Sequence, residues 1–155
     1  MKNKLRYMGG VISQGSAIDP TDQTLSAFKF LDQINVGMRE SDPTKTVKPG
    51  EKINIPFNFQ VISLWKRNDL DDSGKELKRN VVLEIIDPKE TVLQSIPVKV
   101  EIPLTAIRHR SILNVQGMTI TTTGEYCVQF REVNEKDEKS EATGRICFDV
   151  VLNKS

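Results

Sequence analysis

Apolar residues recur at every second position over long stretches of this chain, and this alternation limits its fold more than any other feature. The longest run begins at Ile53 and ends at Trp65, with one polar interruption at Ser63. Strands place successive side chains on opposite faces of a sheet, so each run indicates a strand with one buried face. Helical spacing does not extend over any useful length, and the sequence predicts an all-β protein.

Turn signals separate the alternating runs. Pro49-Gly50 precedes the longest run, and Asp87-Pro88-Lys89-Glu90 is typical of a tight turn. Pro103 ends another run, because proline cannot donate to a central ladder. About eight strands are predicted, at residues 4–13, 25–36, 53–66, 77–87, 91–102, 107–115, 125–133 and 143–152.

The chain has 155 residues, which suits one domain spanning residues 1–155. The regular alternation of apolar and polar residues gives each sheet one buried and one solvent-exposed face. We therefore expect a two-layer antiparallel β-sandwich, immunoglobulin-like or related. The 22 basic and 21 acidic residues leave a net charge of +1, without the basic excess typical of nucleic-acid-binding proteins. Nucleic acid is therefore an unlikely partner.

The basic N-terminus lacks the apolar run that a secretory signal requires, and no segment is long enough to span a membrane. The sequence therefore predicts a cytoplasmic protein without membrane contact, in which Cys127 and Cys147 are reduced thiols. A hairpin centred on Asp137 places these cysteines opposite each other. Their expected Cβ separation of ~4.5–5.5 Å exceeds the ~3.8 Å of a disulfide, which also favours free thiols.

Several short motifs resemble those of a group of small bacterial proteins of uncharacterised function. The motifs are Ser13-Gln14-Gly15-Ser16, the segment 26–34, Arg108-His109-Arg110, Asn114-Val115-Gln116-Gly117 and Gly124-Glu125-Tyr126. This resemblance implies a small bacterial β-sandwich and supplies no activity or site residues. Immunoglobulin-type domains are a weaker likeness. Their corner tyrosine precedes a cysteine by two residues, whereas Tyr126 directly precedes Cys127, which argues against a true tyrosine corner.

Catalytic and metal-binding patterns are sparse, and we predict no catalytic, cofactor or metal residue. His109 is the one histidine available to a nucleophilic triad, and the cysteines lack the spacing of a zinc site. The nine glycines are scattered and form no phosphate-binding loop. Asp69, Asp71 and Asp72 are candidate calcium ligands, but an acidic, solvated turn explains them better.

Arg108-His109-Arg110 is the candidate binding motif. Strand parity turns His109 inward and both arginines outward, ~7 Å apart, where they could hold a carboxylate or phosphate. The alternative is that they pair with acids on neighbouring strands, such as Glu84 or Glu101. Trp65-Lys66-Arg67 suggests base stacking, but Trp65 shares parity with the buried positions of its strand and is expected in the core.

These observations predict a non-enzymatic protein-interaction module, with a protein partner or self-association through exposed sheet surface. The alternative is a small-ligand or carbohydrate-binding module, with its site in the loops at one end of the sandwich. A concave pocket with convergent polar groups favours that alternative, and a flat apolar patch favours the interaction module.

Overall fold

The computed structural model describes residues 5–38, 51–68 and 75–154, and the elements in them are all strands. The strands are β1 (Leu5–Ile18), β2 (Leu25–Phe30), β3 (Gln33–Met38), β4 (Ile53–Ile55), β5 (Phe59–Arg67), β6 (Leu77–Ile86), β7 (Val92–Ile102), β8 (Arg108–Val115), β9 (Met118–Ile120), β10 (Gly124–Val133) and β11 (Gly144–Lys154). The predicted all-β class is confirmed, with eleven strands in the described residues instead of about eight.

Two sheets form the layers of a sandwich. Sheet A has the order β2-β1-β5-β8, and sheet B has the order β3-β11-β10-β6-β7. A two-stranded ladder of β4 and β9 makes a third, small sheet. The pairings are antiparallel except that β3 runs parallel to β11, which the prediction of a purely antiparallel sandwich did not include.

Two predicted strands are each divided in the structure. The predicted strand 25–36 becomes β2 in sheet A and β3 in sheet B, with Leu31 and Asp32 between the two layers. The predicted strand 53–66 becomes β4 and β5, separated by residues that include Pro56. Pro56 has no N–H to donate to a ladder, and the Phe57 amide turns back to the Ile55 carbonyl at 2.8 Å. The chain therefore changes sheets while its apolar side chains keep facing one core.

Aromatic rings from both sheets meet in the core. The ring centroid of Trp65 in sheet A lies 5.4 Å from that of Phe130 in sheet B, and Tyr7 lies 5.3 Å from Phe130. Burial raises the pKa of Tyr7 to about 12, so its hydroxyl stays neutral. Trp65 is 1% exposed, which confirms its predicted place in the core and excludes base stacking on that ring.

Tyr126 lies near the start of β10, and its hydroxyl is hydrogen-bonded to the preceding turn. The hydroxyl donates to the Thr122 carbonyl at 2.7 Å and accepts from the amides of Thr121 at 2.8 Å and Thr122 at 3.0 Å. A hydroxyl that bonds backbone a few residues upstream is the arrangement of a tyrosine corner. The position of Tyr126 directly before Cys127 does not prevent this arrangement, contrary to the expectation from the sequence, because the bond depends on the turn and not on the cysteine.

The hairpin register of β10 and β11 is confirmed, but the predicted redox state is wrong. Cys127 lies opposite Cys147 as expected, and the two sulfurs form a disulfide. Their Cα atoms are 4.1 Å apart, close to the ~4.5 Å of a non-hydrogen-bonded pair, where side chains approach more closely than average. Disulfides persist in oxidising compartments, so the bond also overturns the predicted cytoplasmic location.

Candidate functional site

The predicted binding residues lie on β8, the last strand of sheet A. Arg108 and Arg110 are exposed, and His109 between them is half-buried. His109 lies opposite the buried Trp65, and opposed residues of an antiparallel pair share one face. The outward direction of both arginines and the inward direction of His109 therefore agree with the strand parity in the sequence.

Neither Glu84 nor Glu101 pairs with these arginines. Glu84 belongs to sheet B and is held there by other cations, and Glu101 lies opposite Lys78. The Arg110 guanidinium instead donates to the Gln23 carbonyl at 3.2 and 3.3 Å. The Arg108 side chain makes no hydrogen bond or ion pair in residues 5–38, 51–68 and 75–154. The alternative reading of the motif, as one half of a structural ion pair, is therefore wrong for both acids.

The structure adds two cations to this motif. Lys66 on β5 lies directly opposite Arg108, and on its other side Lys66 lies directly opposite Arg6 of β1. Opposed residues have Cβ atoms ~4.5–5.5 Å apart, so Arg6, Lys66 and Arg108 form one continuous row across three strands. We call these three residues the basic row, and the basic row together with Arg110 the basic face.

No acid offsets the basic row in the part of the chain that the structure describes. The side chains of Arg6 and Lys66, like that of Arg108, make no ion pair or hydrogen bond there. Like charges directly opposite each other destabilise a sheet, so this row is an electrostatic cost to the fold. Cations grouped without counter-charges produce a local positive field, even on a chain of net charge +1.

Apolar side chains lie beside the basic face. Leu64, opposite Arg110 on the same outward face, is 42% exposed. Met8, the extra residue at the bulge between Tyr7 and Gly9, is 41% exposed. The basic face therefore combines charged and apolar side chains. Protein interfaces use apolar residues for their buried core and polar or charged residues for the rim around it.

The β1–β2 hairpin reaches one side of the basic face. Ser16 donates to the Gln60 side chain at 2.6 Å, and Gln23 at the hairpin tip accepts from Arg110. The acid nearest this tip is turned inward on its own loop: Asp22 accepts from the amide and hydroxyl of Thr24, which lowers the pKa of Asp22. Asp19 in the same turn accepts from the Thr21 amide at 2.8 Å, so the hairpin offers Arg110 a backbone oxygen while both of its turn carboxylates bond within the loop.

The outer face of sheet B is different because the charges around Glu84 are paired. Glu84, only 2% exposed, accepts from Lys139 at 2.6 Å, Gln129 at 2.8 Å and Arg131 at 3.1 Å. Burial alone would raise the pKa of Glu84, but these hydrogen bonds outweigh burial and lower it. Arg145 continues the network by contacting Gln129 and pairing with Glu90 at 2.7 Å. These charged side chains therefore satisfy one another and stabilise sheet B.

One group of side chains in the described residues has the proximity of metal ligands. Glu125, Cys127 and Cys147 approach one another closely, but both sulfurs are consumed by the disulfide and provide no thiolate. The candidate calcium ligands Asp69, Asp71 and Asp72 lie outside the described residues.

A shallow, open depression of about 860 Å³ lies between the start of β6 and the 134–140 turn. Its lining mixes both charges, including Arg79, Lys136, Glu132 and Glu135. Drug-sized sites are instead enclosed and mostly apolar, with a few convergent polar groups.

In the described residues no helix is long and apolar enough to cross a membrane.

Sequence reasoning identified Arg108 and Arg110 but missed Arg6 and the role of Lys66. Both missed residues stand at outward positions between inward neighbours: Leu5 and Tyr7 flank Arg6, and Trp65 and Arg67 flank Lys66. Alternation therefore places each of them on a surface. Their meeting depends on the order β1-β5-β8, which brings together distant parts of the chain.

Comparisons with known proteins give little further information. No protein family and no curated protein matches this chain. Among solved structures, the chain is similar to an immunoglobulin-like protein from Pseudomonas aeruginosa. The two are 13% identical, with 97% of this chain and 98% of that chain covered and a TM-score of 0.37.

Proposed function

We propose that this protein is a non-enzymatic interaction module whose basic face binds an acidic segment of another protein. The basic row carries the proposal, since Arg6, Lys66 and Arg108 lie side by side on adjacent strands without an acid among the described residues. A partner's carboxylates would replace the missing counter-charges and relieve the repulsion among the three cations. The chain's motif likeness to small bacterial β-sandwich proteins is compatible with this proposal and adds no activity to it.

A protein segment fits this surface better than a nucleic acid does. The basic face consists of four cations on a nearly neutral chain, whereas nucleic-acid-binding domains usually carry a large basic excess. Exposed Leu64 and Met8 beside the cations offer contact to apolar side chains, which a phosphate backbone does not have.

A small-ligand or carbohydrate-binding module is the second candidate. The open depression between β6 and the 134–140 turn is the observation that favours it. Its mixed charges and openness offer few convergent contacts, so the interaction module has the stronger support.

The experiment measures the affinity of a fluorescent, glutamate-rich peptide by anisotropy. The test variant carries Lys66→Glu with Arg108→Glu. The control carries Lys52→Glu with Lys99→Glu, which changes the net charge equally at exposed positions away from the basic face. We expect the test variant to weaken binding by at least about tenfold, or ~1.4 kcal/mol, and the control to have little effect.

Three results would overturn the proposal. Equal weakening by both variants would mean that the peptide responds to net charge and not to the basic face. An absence of binding to the unsubstituted protein would remove the acidic-partner function altogether. Specific binding of a sugar, retained by the test variant, would transfer the assignment to the second candidate.

A further inference from the structure

We infer that the acidic segment binds as an added β-strand along the outer edge of β8, with acidic residues opposite Arg108 and Arg110. This inference rests on the proposed function and specifies the geometry of the same site. Strand addition supplies affinity through main-chain hydrogen bonds, and alternate side chains supply specificity.

The first support is the position of β8. It ends sheet A, pairs with β5 along Arg108–Val115, and has no second strand partner in the described part of the chain. An edge strand presents a row of N–H and C=O groups that another strand can use. The edge is eight residues long, enough for a strand of ordinary length.

The second support is the regularity of β8 compared with the edge strands β7 and β2. Its pairing with β5 continues without a register shift, and it contains neither proline nor a residue of positive φ. The edge strand β7 contains Pro97, which cannot donate, and its register shifts near Ile86. The edge strand β2 contains Lys29 at φ 54°, which breaks the extended backbone. These two edges are therefore poorer templates than β8.

The third support is the order of side chains along β8. The outward face presents Arg108, Arg110, Ile112 and Asn114 in turn. Alternate residues of a strand are ~7 Å apart, so two acidic residues separated by one residue match the two arginines. An apolar residue at the next alternate position would lie opposite Ile112. The ligand class is thus an extended segment with two alternating acids and a neighbouring apolar residue.

The charge of β8 also selects against a second copy of this chain. Antiparallel pairing of two β8 edges in the register centred on His109 would place Arg108 of one copy against Arg110 of the other, and directly opposed like charges destabilise a pair. In a register that overlaps the whole strand the arginines would meet the uncharged Asn114 and Ile112, which offer them no counter-charge. An acidic strand converts the same positions into attractive pairs. Because β8 contains no acidic residue, a second copy gives the arginines no attractive charge pair in any register, whereas an acidic strand does.

The test uses a short synthetic peptide that alternates glutamate and threonine and carries one leucine at the following alternate position. Two backbone N-methylated versions keep every side chain and charge. One is methylated at the odd-numbered peptide amides and the other at the even-numbered amides. An added strand directs one set of amides to β8 and the other to solvent, so we expect one version to bind more than about tenfold more weakly and the other to bind as the parent does.

Amide hydrogen exchange gives a second readout. Strand addition should slow exchange of the β8 amides that face the edge, while the amides that already bond to β5 change little. Parent-like affinity of both methylated peptides would overturn the strand geometry and leave the basic face as the binding site. Failure of the parent peptide and of the glutamate-rich peptide alike would overturn the proposed function as well.

Discussion

Cys127 of β10 lies directly opposite Cys147 of β11, and a disulfide joins them across the hairpin. The neighbouring inward pairs, such as Tyr126 with Phe148, belong to the core, so the disulfide lies on the outer face of sheet B. The bond closes a loop with a sequence separation of 20 and secures the two strands beside the buried Glu84 network.

Removing the disulfide should lower stability without changing the fold. The double variant Cys127→Ala with Cys147→Ala is expected to lose about 3 kcal/mol of unfolding free energy, because the unfolded chain regains loop entropy. Denaturant unfolding of this variant and of the unsubstituted protein measures the difference. Titration of two free thiols in the denatured, unreduced protein would contradict the disulfide.

Substitution of Glu84 should lower the unfolding free energy more than substitution of any other charged residue of sheet B. Glu84→Gln leaves Lys139 and Arg131 without their carboxylate, and we expect a loss of about 1.5–3 kcal/mol, the range for hydrogen bonds to charged groups. Denaturant unfolding measures this loss, and Glu135→Gln in the exposed turn is the matched control. Equal stability of the two variants would contradict the role of the network.

The same network predicts a loss of stability in acid. The pKa of Glu84 is lowered in the folded protein, so its contribution is present above its ordinary pKa of 4.5 and is lost as pH falls through the lowered value. The unfolding free energy of the unsubstituted protein should therefore fall as pH decreases below 4.5, and that of Glu84→Gln should fall less steeply. Parallel pH profiles would contradict this assignment.

Tyr126→Phe should destabilise the sandwich far more than Tyr7→Phe. The Tyr126 hydroxyl accepts from the amides of Thr121 and Thr122, and losing it leaves these two part-buried amides without their acceptor, at a cost of about 1–3 kcal/mol. The Tyr7 hydroxyl makes no hydrogen bond in the described residues, so its removal is the matched control. Thermal unfolding of both variants measures the difference, and similar losses would refute a corner role for Tyr126.

The hairpin register was predictable because its information is local. The charged connection identifies the turn, Asp137 lies within it at φ 59°, and alternation on both sides then pairs Cys127 with Cys147. The sheet changes after Phe30 and after Ile55 were not predictable in the same way. Both halves of each divided run face one core, so the period of two continues although the strands belong to different sheets.

The basic row was only partly predictable for a related reason. Arg108 and Arg110 are close in sequence, and strand parity alone places them on one face. Arg6 and Lys66 join them only because β5 lies between β1 and β8. Such an order depends on long-range pairing, which the composition of a single strand does not encode.

Repulsion within the basic row should lower the unfolding free energy, and a single substitution should restore it. Lys66→Glu converts two repulsive cross-strand pairs, with Arg6 and Arg108, into attractive ones, and we expect about 1 kcal/mol of added stability. For a chain of this size that is a rise in Tm of about 2–4 °C. Calorimetry measures the shift against Lys99→Glu, which lies opposite the neutral Asn80. A lower Tm for Lys66→Glu would contradict the repulsion.

The most direct test of the central claim is an NMR map of amide shift changes on adding the alternating glutamate–threonine peptide. The account predicts the largest changes at the segment 108–112 of β8, smaller changes at Lys66 and Arg6 on the strands behind it, and little change in the 134–140 turn. The changes should diminish as salt is added, because exposed charge pairs are screened. Changes concentrated in the 134–140 turn, or spread evenly over all lysines and arginines, would contradict the basic face as the binding site.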